Sequence, residues 1–227
     1  MAKNLDDLRD RVYPIIDPIT QWLVRRRVHP NAITTSGFVM TVIAGLLFGT
    51  DHVRTAGFFV LLGGAHDIFD GRVARLTGLQ SKFGAFYDST LDRISEIVVY
   101  LGLISLYNQY EMDLLSLGMI YVVALAMAGS LMISYTRAKA ETLGLECSVG
   151  LMQRAERVVL LGLGSLIFGL SWDGLVLTGV IVIFAVLTNW TAIHRIVWVY
   201  RQAAGVPLDD APALVSIKEK DNGEADS

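Results

Sequence analysis

LLSLGMIYVVALAMAGSLMISYTRAKA, residues 114–140, decides the fold class of this chain. From Leu114 to Thr136 it carries no charged side chain. About 20 such residues in a helix span the roughly 30 Å hydrocarbon core of a bilayer, so this segment reads as a membrane-crossing helix that protrudes beyond it. Five further stretches, 32–50, 54–77, 84–108, 155–171 and 174–198, are similarly long and mostly apolar. The sequence therefore predicts an all-α integral membrane protein with six transmembrane helices. Composition agrees: of 227 residues, 53% are hydrophobic, another 21 are glycine and only 18% are charged. A soluble domain has about 45–50% apolar residues, glycine included, and about 25% charged ones. The balance argues against a disordered chain, a coiled coil or a basic protein with nucleic acid as partner.

Outward from the spans, residues 1–29 read as an amphipathic juxtamembrane helix. Val12, Ile15, Ile16, Ile19 and Leu23 recur at helical spacing, and Arg9, Arg11 and Arg25 to Arg27 add charge, as in a helix lying in the interface plane. Pro14 or Pro18 is expected to break it and Pro30 to end it. An acidic start without a continuous apolar run argues against a cleavable signal peptide. Residues 30–200 form the six-helix domain. Residues 201–227, with Asp209, Asp210 and KEKDNGEADS, read as an acidic, solvated, disordered tail. The formal charge of -3 comes from that tail, since residues 1–200 carry sixteen acids and sixteen bases. The joins near 51–54, 108–113 and 171–174 hold one basic residue, Arg54, whereas the opposite joins hold Arg72, Arg75, Lys82, Arg137, Lys139, Arg154 and Arg157. The positive-inside rule then places both termini and the charged joins in the cytoplasm. Cys147 stands alone and supplies no disulfide or metal quartet. Trp22, Trp190 and Trp198 suit interfacial belts, and Gly45-x-x-x-Gly49 suits close helix packing.

The chemistry gathers in HDIFDGRVARLTGLQSKFGAFYDSTLDR, residues 66–93. Asp67 and Asp70 are three apart and Asp88 and Asp92 four apart, so each pair shares one helix face. The join between the pairs lets the two helices return antiparallel, and all four carboxylates can converge. Ionisable residues inside membrane segments usually face a cavity, pair, and serve function. A hard divalent cation would neutralise them, because Mg²⁺ takes oxygen ligands from carboxylates and substrate phosphates. Four aspartates can hold two ions about 3.5–4 Å apart, which suits phosphoryl transfer. Gly71 would allow close approach of a ligand to the helix, and Arg75, one turn on, could meet a phosphate. A second set of cations, Arg137 and Lys139 in SYTRAKAE, Arg154 and Arg157 in LMQRAER, and Arg195, falls on the same side. It suits a second anion, and arginine is well shaped for phosphate.

The order D-x-x-D-G-x-x-A-R, eight residues, then G-x-x-x-D-x-x-x-D resembles the signature of the CDP-alcohol phosphatidyltransferases. Asp67, Asp70, Gly71, Ala74, Arg75, Gly84, Asp88 and Asp92 fill its fixed positions. The similarity extends over about residues 5–200 and includes the PNAIT segment at 30–34. It implies that Asp67, Asp70 and Asp88 bind two Mg²⁺ ions, with Mn²⁺ as the alternative, and that Asp92 contacts a metal and acts as general base. It also implies that Gly71, Arg75, Ser81 and Pro30, Asn31, Ala32, Ile33 and Thr34 hold the CDP group of a donor lipid. The acceptor hydroxyl would attack the lipid-side phosphorus and CMP would leave. SYTRAKAE and LMQRAER are similar to the acceptor-lining segments of the prokaryotic branch that makes phosphatidylinositol phosphate. Inositol 1-phosphate is thus the expected acceptor, with Arg137, Lys139, Arg154, Arg157 and Arg195 around its phosphate. Glycerol 3-phosphate, or a neutral acceptor such as inositol or serine, is the alternative within the family. A membrane ion transporter and a non-catalytic lipid-binding scaffold are the alternatives outside it. The resemblance further implies a homodimer in the plasma membrane of a prokaryote, its active site facing the cytoplasm.

Overall fold

The computed structural model describes residues 16–109, 114–147 and 149–204. The described residues contain helices and no strand. A first helix, α1, covers residues 16–25, and six longer ones follow: α2 (Pro30–Phe48), α3 (Val53–Thr77), α4 (Lys82–Asn108), α5 (Leu114–Thr142), α6 (Arg154–Phe168) and α7 (Leu175–Ala203). By length and composition α2, α5 and α7 are each long and apolar enough to cross a membrane. The other three differ for visible reasons: α3 and α4 carry the aspartate motif, and α6 has only 15 residues.

For the first helix the break at Pro18 is excluded, Pro14 lying outside the described residues, and the end moves. The helix runs through Pro18 and ends at residue 25, after which Arg27 takes a left-handed φ of 54°. Pro30 does not end a helix but opens α2, where its missing N–H costs nothing. His29 caps that end, its Nδ1 accepting from the Asn31 amide at 3.2 Å. Ile19 and Trp22 of α1 stay exposed, with Arg26 over the Trp22 ring, while Asp17 pairs with Arg72 of α3. Val12, Ile15 and Pro14 of the expected amphipathic helix, and the acidic tail from residue 205, lie outside the described residues.

The six long helices form a closed ring. Each packs against two others, in the order α2, α3, α6, α7, α5, α4 and back to α2. The two aspartate-bearing helices α3 and α4 are therefore not direct neighbours. On one side α2 stands between them, and their carboxylates meet across the interior. The turn linking them is written in the sequence. Gly78 takes the left-handed conformation (φ 69°) and stops α3, its amide returning to the Ala74 carbonyl. Ser81 then caps α4, its Oγ accepting from the Gly84 amide at 2.9 Å.

The ring is polar at one end and apolar at the other. Ala44, Phe48, Val53, Ala56, Leu103, Leu106, Leu177 and Ile181 belong to the buried core toward the α2–α3 and α4–α5 joins, and Phe184 continues it toward the polar end. The aspartates, and the arginines of α6 and α7, lie at the opposite end. The Gly45-x-x-x-Gly49 pair is used within the chain. A Cβ on Gly45 would sit 2.7 Å from the Val98 carbonyl of α4, so the two backbones touch there. Gly45→Leu should destabilise the ring by about 1–3 kcal/mol through overpacking. Thermal unfolding in detergent should then show a lower midpoint, whereas Gly118→Ala, which meets nothing within 4 Å, should not move it.

Candidate active site

The four aspartates project into the interior at the polar end, where the ring between α3 and α4 is widened by α2. Asp67, Asp70 and Asp88 can each present a carboxylate oxygen with all three oxygens within 4.8 Å of one another. Asp70 is buried and accepts a hydrogen bond from Thr34 Oγ1 of α2 at 2.6 Å. Asp88 Oδ1 is buried with no hydrogen-bond partner. An unpaired buried carboxylate oxygen costs several kcal/mol unless a cation answers it. The all-oxygen donor set and this orphaned atom fit a hard divalent ion. Asp92 lies outside that group of three. Its Oδ1 is 2.8 Å from Arg154 Nη2, and the Nη1 of the same arginine donates to Asp67.

Beside the acidic group lies an open cavity of about 230 Å³ between α2, α3 and α4. Pro30, Asn31, Thr34, Gly71, Arg75 and Ser81 line it, together with Asp70 and Asp88. Gly71 leaves its floor free of side chain: a Cβ there would meet only the Arg75 guanidinium, at 3.5 Å. The PNAIT segment divides by helical phase, since Ala32 is exposed and Ile33 buried, and neither lines the cavity.

The five cations separate into three groups. Arg137 and Lys139 are exposed on α5, Arg137 pairing with Glu141 at 2.9 Å and Lys139 lying over Tyr135. Arg154 sits between Asp67 and Asp92. Arg157 and Arg195 are only 3% and 4% exposed. Arg157 holds Glu96, and Arg195 donates to the Val149 and Ile133 carbonyls at 2.8 and 2.7 Å. Through the Ile133 carbonyl Arg195 reaches α5 one turn before Arg137.

Residues 27–198, about three quarters of the chain, match the profile of the CDP-alcohol phosphatidyltransferases. The chain belongs to that family. It is thus a phospholipid-biosynthesis transferase, and the family is membrane-integral. Among its relatives is the archaetidylinositol phosphate synthase of Methanothermobacter thermautotrophicus, 32% identical over 198 residues, covering 87% of this chain and 95% of the relative. The phosphatidylinositol phosphate synthase of Mycobacteroides abscessus is 32% identical over 168 residues, covering 72% and 75%. The solved Mycobacterium tuberculosis phosphatidylinositol phosphate synthase with CDP-DAG bound superposes with a TM-score of 0.73 at 27% identity, over 82% of this chain and 94% of that one. The same enzyme has been solved in complex with manganese and citrate.

In this transferase the sequence reading passed over Glu96, which Arg93 contacts. Arg93 reaches toward Asp92 at 3.7 Å and Glu96 at 3.6 Å, and donates to Ser134 of α5. The available signal was spacing: Glu96 follows Asp92 by four, as Asp92 follows Asp88, so all three share a face. The Gln153-x-x-Glu156 capping box that starts α6, and so places Arg154, was also readable from spacing. Asp70→Asn and Asp88→Asn should each weaken Mn²⁺ binding to the purified transferase by about tenfold or more, read by electron paramagnetic resonance. Asp51→Asn, at the apolar end, should leave it unchanged.

Proposed function

We propose that this transferase moves the phosphatidyl group, or its ether-lipid equivalent, from a CDP-activated lipid to inositol 1-phosphate, giving an inositol phospholipid phosphate and CMP. The observation that carries the reading is the placement of Arg154. The cavity lined by Pro30, Asn31, Thr34, Gly71, Arg75 and Ser81 opens on the acidic group from one side, and Arg154 touches Asp67 and Asp92 from another. A CDP group in the cavity brings its diphosphate to the aspartates. An acceptor phosphate drawn to Arg154 brings its neighbouring hydroxyl to Asp92, 2.8 Å from that arginine. The names of the relatives support the same acceptor. They include both ether- and diacyl-lipid products, so either donor is compatible.

In this mechanism Asp67, Asp70, Asp88 and Asp92 would hold two divalent cations, magnesium or manganese, which would supply positive charge to the phosphate oxygens. Gly71 lets the donor approach the α3 backbone, and Arg75 pairs with its phosphate. Asp92 accepts the proton of the acceptor hydroxyl. The acceptor oxygen bonds to the lipid-side phosphorus while the bond from that phosphorus to the CMP oxygen breaks. Arg137 and Lys139, with the field of Arg157 and Arg195, draw a phosphorylated acceptor toward this end in preference to a neutral alcohol. In the same reading α2–α7 are six membrane spans and residues 1–29 lie at the interface. Both termini, the tail from residue 201 and the active site face the cytoplasm, and the protein works as a homodimer in a prokaryotic plasma membrane. The location of every motif residue at one end of the ring supports that orientation.

Purified protein should release CMP from a CDP-lipid when inositol 1-phosphate and Mg²⁺ are supplied, and not with free inositol or serine. Release with glycerol 3-phosphate alone would keep the chemistry and change the product. Asp92→Asn should lower turnover by about 10²–10⁴-fold while CDP-lipid binding persists. Full activity in that variant would remove Asp92 from the role of base.

A further inference from the structure

We infer that α1 is a docking surface for anionic phospholipid head groups, and that the contact of Asp17 with Arg72 couples its seating on such a membrane to the donor cavity. The second half of the inference rests on the transferase reading above. Helical phase divides α1 into two faces. Ile16, Asp17, Thr20, Leu23 and Val24 are buried or half-buried, whereas Ile19, Gln21, Trp22, Arg25 and Arg26 are exposed. The outward face therefore joins two large apolar side chains to cations. The Arg26 guanidinium lies 5.7 Å from the centre of the Trp22 ring, which keeps the apolar and charged parts together. Arg25, Arg26 and Arg27 are all exposed, and among the described residues no carboxylate pairs with them. An apolar strip edged by three such cations fits the surface of a bilayer that carries anionic lipid. A free anion would meet the arginines alone and leave Ile19 and Trp22 in water.

The inward face carries the coupling. Asp17 pairs with Arg72 of α3, and Thr20 is fully buried, its hydroxyl donating to the Ile16 carbonyl at 2.9 Å. Arg72 follows Gly71, the floor of the donor cavity, and stands one turn before Arg75, which lines it. At its other end α1 is joined to α2 by a turn whose backbone is tied down. The amides of Arg26, Arg27 and Val28 donate to the Trp22, Val24 and Leu23 carbonyls, and His29 then caps α2. Pro30 and Asn31, which follow directly, line the same cavity. Helix α1 thus bridges two of the cavity's three walls, α2 through the chain and α3 through an ion pair. An ion pair that solvent reaches is worth little by itself, and the Asp17 side chain is 39% exposed. A second hold is needed to keep α1 seated, and a negatively charged membrane surface supplies it. Seating then keeps Pro30 and Asn31 in register with Gly71.

The experiment places the full-length protein in vesicles of phosphatidylcholine, alone or with about 30% phosphatidylglycerol. CMP release gives the KM for CDP-lipid as a mole fraction in the membrane. Trp22 emission, taken as the difference from Trp22→Phe, reports docking of α1 without turnover. Anionic lipid should shift that emission to the blue and lower the donor KM about fivefold, with kcat within about twofold. Combined Arg25→Gln, Arg26→Gln and Arg27→Gln should abolish both responses. Asp17→Asn should keep the emission shift and lose the KM response, and Asp17→Glu should retain both. All of these positions are at least partly exposed, so each variant should keep its thermal midpoint. An emission shift that survives in the triple variant would overturn the docking surface. A KM response that survives in Asp17→Asn would overturn the coupling. A donor KM that stays flat with anionic lipid in the unaltered protein would do the same. One that rises would show the arginines collecting the donor itself, which also sinks the inference. Absence of CMP release from the unaltered protein in either vesicle would instead remove the transferase reading, while Trp22 emission would still decide whether α1 docks.

Discussion

Arg154 standing between Asp67 and Asp92 is the contact on which the rest of the polar end depends. Two carboxylates about 4 Å apart repel by roughly 4 kcal/mol even at an effective dielectric constant near 20. Here five acids, the four aspartates and Glu96, face one enclosed space. Arg93, Arg154 and Arg157 answer Asp92, Asp67 and Glu96 by ion pairs. Asp70 and Asp88 remain, with no arginine paired to either among the described residues. These two also belong to the group of three whose oxygens can gather. The deficit of two charges is what a single divalent cation supplies.

The order of helices around the ring turns this charge arrangement into a site with two approaches. Because α2 is wedged between α3 and α4, the motif helices cannot close on each other, and the space held open becomes the cavity lined by Asn31, Gly71 and Ser81. Thr34 from the wedge also steadies Asp70. On the far side, α6 brings Arg154 against α3, and α5 and α7 bring Arg137 and Arg195. Donor and acceptor can therefore reach the aspartates from different helices. The apolar end, where Phe48, Leu106 and Leu177 pack, carries no such duty and holds the ring together.

Much of this was legible in the sequence, and the remainder was hidden for physical reasons. The positions of the six long helices followed from mostly apolar stretches, a local property, although only α2, α5 and α7 are long and apolar enough to cross a membrane. The aspartate motif followed from spacing within single helices, which is local too. The turn between α3 and α4 could be read from Gly78 and Ser81, each with a specific backbone duty. What stayed hidden depends on partners far away in the chain. Pro30 could stop one helix or start the next, and only the left-handed Arg27 before it decides between them. Gly45 could face lipid, another protomer or its own α4, and Val98 settles the matter from more than fifty residues away. Nothing near Glu96 in the sequence marks its partner, Arg157, which lies sixty-one residues on.

Cations at this end of the ring have three available fates: to reach for water, to meet an anionic ligand, or to brace the protein. Sequence assigns the residue type but not the fate, since all three call for arginine in the same place. Burial and internal partners separate them. Arg137 and Lys139 are exposed and can reach outward. Arg157 and Arg195 are buried and bonded to a carboxylate or to carbonyls. Arg154 alone is half-buried and held only by the carboxylates of the site itself, an arrangement that can be exchanged. A ligand phosphate competing for that guanidinium would free Asp92 at the moment the acceptor arrives. On this argument the same contact keeps the acids apart from one another and couples acceptor binding to the availability of the base.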